Sequence, residues 1–448
     1  MARLPSPGSD DGTWGDILNE YLEISHTSTG TLKNLPLNAK DYGAVGDGAT
    51  NDTTALQSFL TAVSSTGTPG IIPKGVYQVH TILNVGDNSV ISMYNATLSC
   101  YDTDLGSGGY GNDVPVLSIN NVANVLIMGG KIDGRKASFG STEFKAGVSI
   151  YSGTNITLRD MTAINCKGDG FHISLDESAD PASENVVMKR CIADGNHRQG
   201  MSIISLINGR FSDCNFINTD GTNPQSGVDI EPNLIGESVI DLYFDRCTFD
   251  GNTGSGFVAS LVNGSTVQHG ITVSNSTVKN NDQWGVWLAN IHDVTFHRTL
   301  IQGNGTQGIW VLSGTNSELS IENCTIQSNG DNGRSIFDNE AGSTIVDLKI
   351  LNCRIGANST RAADSFRAIS LGGDTLAATM TDVLIANNTL GKSGATTQLI
   401  GIFFGEDTTF VTTRINDNHL TNENSLPIYP VSPPTGITAR GNIGMTDV

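Results

Sequence analysis

The sequence has little charge, few aromatic residues and no long apolar run, and these shortages exclude several classes of protein. Only 16% of its 448 residues are charged, and 25 lysines and arginines against 45 aspartates and glutamates give a net charge of −20. A chain this acidic lacks the basic face that a nucleic-acid partner requires. No apolar run approaches the roughly 20 residues of a membrane span. The N-terminus lacks the apolar core of a secretory signal, so we expect an extracellular or virion-associated protein that leaves the cell by another route.

Cysteine is present in an odd number, seven, without the spacing of a disulfide framework or of a metal site. Free cysteine behaves as a small hydrophobic residue. We therefore predict a file of reduced, buried thiols, and no metal or organic cofactor. A calcium ion in the acidic segment 331–340 remains an alternative to a solvated loop. Five cysteines occupy one position of a repeat: Cys191, Cys214, Cys247, Cys324 and Cys353.

That repeat is the most informative feature present, and it returns about every 23 to 35 residues between 85 and 445. Its clearest copies are 185–196, 241–252 and 319–329. A period of this length indicates stacked supersecondary units. Asparagine recurs five residues after the cysteine position, where stacked amides can bond from coil to coil: Asn196, Asn252, Asn281, Asn304, Asn329 and Asn358.

After each turn comes a glycine and an alternating strand, as in Gly170-Phe-His-Ile and Gly285-Val-Trp-Leu. Several short strands per repeat with no helices between them predict a single-stranded parallel β-helix of about 12 coils. The crossover rule favours a right-handed helix.

The two ends of this body differ from the repeat. Residues 1–35 carry apolar side chains at helical spacing, which predicts a short amphipathic helix in an N-terminal arm used for attachment. Residues 36–448 form the β-helix domain. A second helix, with Thr53 or Thr54 as its N-cap and ending at about Ser65, is expected to cover the first coil.

The segment from Asp41 to Gln57, with Gly75-Val-Tyr77, resembles the start of the pectate-lyase-like superfamily of right-handed β-helices. That family contains lyases, hydrolases, epimerases and phage tail spikes, so the resemblance implies a fold and a polysaccharide partner but no single reaction. The Gly-His-Gly of polygalacturonases is absent. Residues 169–173 share only Gly-Phe with the first motif of the mannuronan C5-epimerases. Residues 196–200 contain an arginine that resembles the arginine of a second epimerase motif, but it lies one coil away from the expected position. Tail spikes with this fold are commonly trimers, which implies a homotrimer attached through the arm.

Candidate reactive residues lie on the outward side of the glycine-led strands. Read in coil order, this outward file is His172, Ser202, Asp229, Val258, Trp287 and Trp310. Asp229 and Glu231 are two residues apart on one face, with Cα atoms about 7 Å apart. Repulsion between them should raise the pKa of one and give an acid beside a base, at a spacing that suits either retaining or inverting glycosidases. The alternative is an ordinary strand carboxylate beside a turn-binding or calcium-binding one.

His172 and Arg198 are predicted to assist, His172 by orienting the acid and Arg198 by binding a hydroxyl or carboxylate. In a lyase or epimerase, Arg198 would instead neutralise a uronate carboxylate. The tryptophans can stack on sugar or be covered by a loop, the arm or another subunit. The predicted substrate-binding residues are Asp169, Asp176, Gln199, Ser202, Trp287 and Trp310.

The favoured interpretation is a polysaccharide depolymerase that hydrolyses glycosidic bonds. A uronate lyase or C5-epimerase is the second hypothesis, and a non-catalytic carbohydrate-binding adhesin rod is the third. The sugar, the linkage and the stereochemical outcome stay open at this stage.

Overall fold

Three parallel sheets wind along the chain and return one strand to each sheet in almost every coil. The computed structural model describes residues 12–25, 35–101, 115–139, 145–176, 180–234, 236–261, 267–312, 314–330, 337–339, 344–357, 366–372, 378–392, 399–405, 407–421, 426–429 and 434–443. Every strand pairing within these ranges is parallel, for example Phe171↔Met201 and Met201↔Val228. Within them, the register shifts only where Asp47–Asn51 pairs with Gly75–Val79. The predicted parallel β-helix is confirmed.

Sheet 1 forms the first side of each coil. Its strands are Leu37–Asn38, Gly70–Ile71, Val90–Ser92, Ala123–Met128, Thr154–Arg159, Ser183–Lys189, Leu206–Ser212, Ser238–Asp245, Val267–Ser274, His292–His297, Thr315–Glu322, Thr344–Leu351, Ala378–Thr381, Leu384–Ala386, Thr408–Val411, Thr413–Asn416 and Ile437–Arg440.

Sheet 2 follows sheet 1 after a tight turn. Its strands are Asp47–Asn51, Gly75–Val79, Ala96–Cys100, Lys131–Asp133, Thr162–Ile164, Ile192–Asp194, Asn215–Ile217, Thr248–Asp250, Thr277–Lys279, Leu300–Gln302, Thr325–Gln327, Arg354–Ala357, Thr389–Lys392 and His419–Leu420.

Sheet 3 contains the glycine-led strands and the candidate site. Its strands are Leu83–Val85, Leu117–Asn120, Val148–Tyr151, Phe171–Ser174, Met201–Ile203, Val228–Ile230, Phe257–Ser260, Val286–Ala289, Ile309–Val311, Phe337–Asn339, Phe366–Leu371, Leu399–Phe404 and Leu426–Tyr429. The leading glycines are needed because the coils approach closely there. A Cβ on Gly170 would lie 2.7 Å from the carbonyl oxygen of Gly200.

Helices are few and lie near the N-terminus. Helix α1 spans Trp14–Ser25, as the sequence predicts for the arm. Helix α2 spans Thr53–Thr66 and buries the predicted apolar face, while α3 is the short Lys136–Phe139. A 3₁₀ turn covers Ala39–Tyr42. Among the described residues, no helix has the length and apolar character needed to cross a bilayer.

The predicted N-cap of α2 is wrong by one or two residues. The cap residue is Asp52, and its carboxylate accepts hydrogen bonds from the backbone N–H groups of Val45 (2.5 Å) and Gly46 (3.1 Å) instead of from its own helix. Thr53 bonds to the first coil, because its hydroxyl accepts a hydrogen bond from the backbone N–H of His80. Asp52 therefore fixes the opening loop on the helix, while Thr53 fixes the helix on the coils.

Two internal files hold the coils in register. All seven cysteines are free and buried, which confirms the predicted thiol file. The asparagine ladder is also present: the side-chain amide of Asn252 donates to Oδ1 of Asn281, Asn281 donates to Asn304, and Asn304 donates to Asn329, each at 2.8 Å. Asn358 lies outside the described residues. A second ladder runs from Asn388 through Asn418 to Asn442 at the cysteine position.

Candidate functional site

The outward file of sheet 3 is in the register that the sequence predicts. His172 pairs with Ser202, Ser202 with Asp229, Asp229 with Val258, Val258 with Trp287, and Trp287 with Trp310. Neighbouring positions are therefore separated by one coil, or about 4.8 Å.

Facing outward does not make every member of the file accessible. Ser202 is 0% exposed, Asp229 is 2% exposed and Val258 is 1% exposed. The titratable side chains of the site that are most exposed are those of His172 (23%) and Glu231 (24%). Asp229 thus lies at the bottom of the site, while His172 and Glu231 lie at its rim.

Arg198 connects the two sides of the site. Its Nη2 donates to Oε1 of Glu231 at 2.7 Å, its Nη1 donates to the Ser202 hydroxyl at 3.3 Å, and Nη1 lies 3.7 Å from Oδ2 of Asp169. Burial lowers the pKa of Arg198, but the negative charges of Asp169 and Glu231 raise it by more, so the guanidinium stays charged. The arginine lies over Ser202 and holds Glu231 in one position.

His172 is held from below by a buried carboxylate. Its Nδ1 lies 3.3 Å from Oδ2 of Asp169, and its ring packs at a tilt against Tyr151, with centroids 5.6 Å apart. A histidine oriented through Nδ1 presents Nε2 for proton transfer or for hydrogen bonding. Asp169 therefore contacts both predicted assisting residues, His172 and Arg198.

Gln199 holds Asp229 in place. Its Nε2 donates to Oδ2 of Asp229 at 2.7 Å, while its Oε1 accepts from the backbone N–H of Ser226 at 2.8 Å. Gln199 is 0% exposed. Both the nitrogen and the oxygen of the Gln199 side-chain amide therefore bond within the protein, so this residue has the geometry of one that positions Asp229.

Asp229 is the most perturbed carboxyl group of the site. Burial raises its pKa well above the usual range, and the negative charges of Glu231 and Asp169 raise it further against the opposing effect of Arg198. Its second oxygen, Oδ1, is buried and has no hydrogen-bond partner among the described residues. A carboxyl group in this setting retains a proton.

This pKa shift predicts a pH-dependent stability effect. Because the folded state binds the Asp229 proton more tightly than the unfolded chain, the contribution is fully present below the unfolded pKa of about 3.9 and is lost as pH rises through the raised folded pKa. An asparagine at this position would stay neutral at every pH and could still accept a hydrogen bond from Gln199. We therefore expect Asp229→Asn to have a higher Tm than the wild type at about pH 7, with a smaller difference at about pH 4.

The matched control is Asp241→Asn, because Asp241 is exposed and its φ of 56° suits asparagine. Its Tm should lie close to that of the wild type at about pH 7. An Asp229→Asn difference in Tm that does not change between about pH 4 and about pH 7 would contradict the raised pKa of Asp229.

Asp176 is not brought together with the other predicted residues. It is exposed, follows the strand Phe171–Ser174, and accepts a hydrogen bond from Asn121 at 3.2 Å. Its predicted role in substrate binding stays a prediction.

Trp287 and Trp310 pack together with a third tryptophan, Trp284, which the sequence analysis did not select. The rings of Trp284 and Trp310 stack at 4.4 Å between centroids, and those of Trp287 and Trp310 lie 6.3 Å apart at 23°. The missed signal is a second file directly before the glycines, the pre-glycine file: Asp169, Gln199, Ser226, Ser255, Trp284 and Gln307. This file supplies Asp169, Gln199 and Trp284 to the site.

Two further residues near the site were missed. Lys145 and Lys167 are buried in the turns that lead into sheet 3, and the backbone N–H of Gly168 bonds to the Lys145 carbonyl. A lysine in a polar turn gives no sequence signal of burial. No group of three or more potential metal ligands occurs within the described ranges, and most of the segment 331–340 lies outside them.

Comparisons with known protein families agree with this architecture. A family model described as right handed beta helix region matches residues 224–390 and 261–443. Another, described as rhamnogalacturonase A/epimerase, pectate lyase-like, matches residues 37–99.

Individual relatives are more distant. The preneck appendage protein of Bacillus phage PZA is 24% identical over 216 residues, which cover 43% of this chain and only 23% of that protein. The A-module of mannuronan C-5 epimerase AlgE6 from Azotobacter vinelandii superposes with a TM-score of 0.62 at 16% identity, over 92% of this chain and 100% of the module. Tailspike gp49 of Acinetobacter baumannii bacteriophage Fri1, a capsular polysaccharide depolymerase, superposes with a TM-score of 0.52 at 15% identity. The superposition covers 85% of this chain and 64% of the tailspike chain.

The structural similarities extend over most of the chain, and the family matches include the opening segment that carries the resemblance. The description of the first family model also states that the β-helix is right-handed. The chain is therefore a right-handed parallel β-helix protein, whose opening segment, residues 37–99, matches the rhamnogalacturonase A/epimerase, pectate lyase-like family model.

Proposed function

We propose that this protein is a polysaccharide depolymerase that hydrolyses glycosidic bonds at the Asp229–Glu231 pair. One observation carries the proposal: a buried carboxyl group with a raised pKa lies beside a solvent-reachable carboxylate that an arginine holds in place. Two carboxyl groups in such different environments divide into an acid and a base.

In this mechanism Asp229 donates its proton to the glycosidic oxygen at the bottom of the site. A sugar oxygen would give Oδ1 of Asp229 the partner that it lacks among the described residues. Glu231, fixed by Arg198, is the negatively charged group that activates water or attacks the sugar carbon. His172, oriented by Asp169, binds a sugar hydroxyl from the opposite side of the file.

The contacts of Arg198 favour hydrolysis over its use as the cation of a uronate lyase or epimerase. Arg198 already lies against two carboxylates, Asp169 and Glu231, so its charge is compensated before substrate arrives. A lyase or epimerase needs positive charge to neutralise the substrate's own carboxylate as the C5 proton leaves.

The relatives support a carbohydrate-acting protein carried by a virus particle. One neighbour is named as a mannuronan epimerase, another as a capsular polysaccharide depolymerase, and a sequence relative as a phage appendage. We propose a virion-associated, extracellular homotrimer attached through residues 1–35. Sedimentation of the full chain tests the trimer, and a monomeric mass would contradict it.

The test of the reaction is product chemistry. Purified protein is incubated with bacterial capsules and with plant and algal polysaccharides, and both new reducing ends and the ultraviolet absorbance of unsaturated sugars are measured. We expect reducing ends without absorbance, and we expect Asp229→Asn to lose this activity while Asp241→Asn keeps it.

Each other outcome overturns a specific part of the proposal. Absorbance that rises with the reducing ends would assign a lyase, and a change of sugar configuration without cleavage would assign an epimerase. Binding without any product would assign an adhesin.

A further inference from the structure

We propose that Trp284, Trp287 and Trp310 form a sugar-binding subsite that sets the length of the released products. This inference rests on the proposed depolymerase function and adds a residue, Trp284, and a position for the bound chain. Trp287 and Trp310 lie on sheet 3 in the outward file, and Trp284 lies in the turn that leads into sheet 3, in the pre-glycine file.

The three rings are already fixed relative to each other without ligand. Trp284 stacks on Trp310 at an angle of 17°, and its centroid lies 5.8 Å from that of Trp287. The indole N–H of Trp284 donates to Oε1 of Gln307 at 3.1 Å, which fixes that ring from the next coil. A fixed aromatic surface binds at a low entropic cost because little side-chain freedom is lost.

The polar atoms around the rings favour sugar over an apolar protein surface. Nε1 of Trp287 and the hydroxyl of Thr306 are both buried without a hydrogen-bond partner among the described residues. Buried donors of this kind require an acceptor. A pyranose offers an apolar face for the rings and hydroxyl groups for these atoms, whereas an apolar protein side chain offers only the first.

The register gives the distance from this subsite to the reactive pair. Trp287 lies two coils beyond Asp229 and Trp310 lies three, which corresponds to about 10 Å and about 14 Å along the helix axis. Val258, the single position between Asp229 and Trp287 in the outward file, is small, apolar and buried, so it places no charged group between the reactive pair and the rings. A polysaccharide lying along the axis would place its second or third sugar beyond the cleaved bond on the tryptophans.

Tryptophan fluorescence reports on this subsite directly. Trp14 is the only other tryptophan in the sequence, so a Trp14→Phe background assigns all emission to the three rings. In that background, Asp229→Asn prevents turnover while ligand is titrated. The probes are cellohexaose, maltohexaose, hexamannuronate and the polymer from which the wild type releases reducing ends.

We expect a saturable change of emission with at least one probe, and about tenfold weaker binding after Trp310→Ala or Trp284→Ala. The products of Trp310→Ala in an otherwise wild-type protein should become shorter and more variable, because the chain loses its fixed register. Tyr243→Ala is the matched control, since Tyr243 is an exposed aromatic residue on sheet 1.

The two proposals fail in different ways. Unchanged emission with every probe, or unchanged affinity in the tryptophan variants, would overturn the subsite while leaving the reaction intact. Full turnover by Asp229→Asn would overturn the proposed reaction, although sugar binding at the rings could still be measured. A smaller sedimenting mass after Trp310→Ala would assign the cluster to subunit contact and overturn the sugar subsite.

Discussion

Replacing Glu231 by glutamine is expected to reduce depolymerisation roughly a thousandfold, the size of effect typical for a group that acts directly on the transferred proton. The glutamine is nearly the same size and can still accept a hydrogen bond from Arg198, but it has no negative charge with which to activate water or attack carbon. Because the Glu231 side chain is partly exposed, the fold should change little. Initial rates of reducing-end release, measured with the melting temperature, separate these effects.

Glu318→Gln is the matched control, because Glu318 is exposed on sheet 1 and far along the chain from the site. It should keep the wild-type rate. If Glu231→Gln retained more than about a tenth of that rate, Glu231 would not be a general base or a nucleophile.

The largest expected loss of stability follows replacement of Phe257 by alanine. Phe257 is fully buried, and its ring packs edge to face against three others, Phe244 at 5.4 Å, Phe249 at 5.6 Å and Phe296 at 5.9 Å. Removing the ring leaves a cavity, and Phe→Ala changes in cores cost about 3–5 kcal/mol in the free energy of unfolding. Chemical denaturation followed by circular dichroism measures the change.

Phe257→Leu fills part of the cavity and should cost clearly less. Tyr243→Ala, on the exposed side of sheet 1 in the same coil, should cost under about 1 kcal/mol. A similar small value for Phe257→Ala would mean that the coils can collapse around the missing ring. Since the next residue, Val258, separates Asp229 from Trp287, that collapse would also disturb both parts of the site.

The architecture and the register of the site could be predicted from the sequence because both follow from periodicity. The recurrence of glycine fixes where each strand begins, and the alternation of a strand then fixes which way His172, Asp229 and Trp310 face. Accessibility does not follow from periodicity. It depends on long side chains such as Arg198, whose path over Ser202 is a tertiary feature.

The missed residues have the same explanation. The sequence analysis selected Asp169 and Gln199 but did not treat the positions before the glycines as a file, so it passed over Trp284 and the positioning role of Gln199. The cap of α2 was misplaced because Asp52 and Thr53 bind the opening loop and the first coil, and these contacts are distant in sequence. The local N-cap propensity of a residue does not show whether its side chain is already bonded to a segment that is distant in sequence.

The asparagine ladder gives the helix a chemical direction along its axis. In each step an earlier coil donates and a later coil accepts, as from Asn252 to Asn281 and onward to Asn304. Each of these coils therefore presents a side-chain donor towards its C-terminal neighbour and an acceptor towards its N-terminal neighbour. Because hydrogen bonds in a chain polarise one another, each coil that joins the ladder strengthens the bonds already made. A coil that is out of register by one residue would break this chain of bonds, so the ladder favours a single register across the coils that it joins.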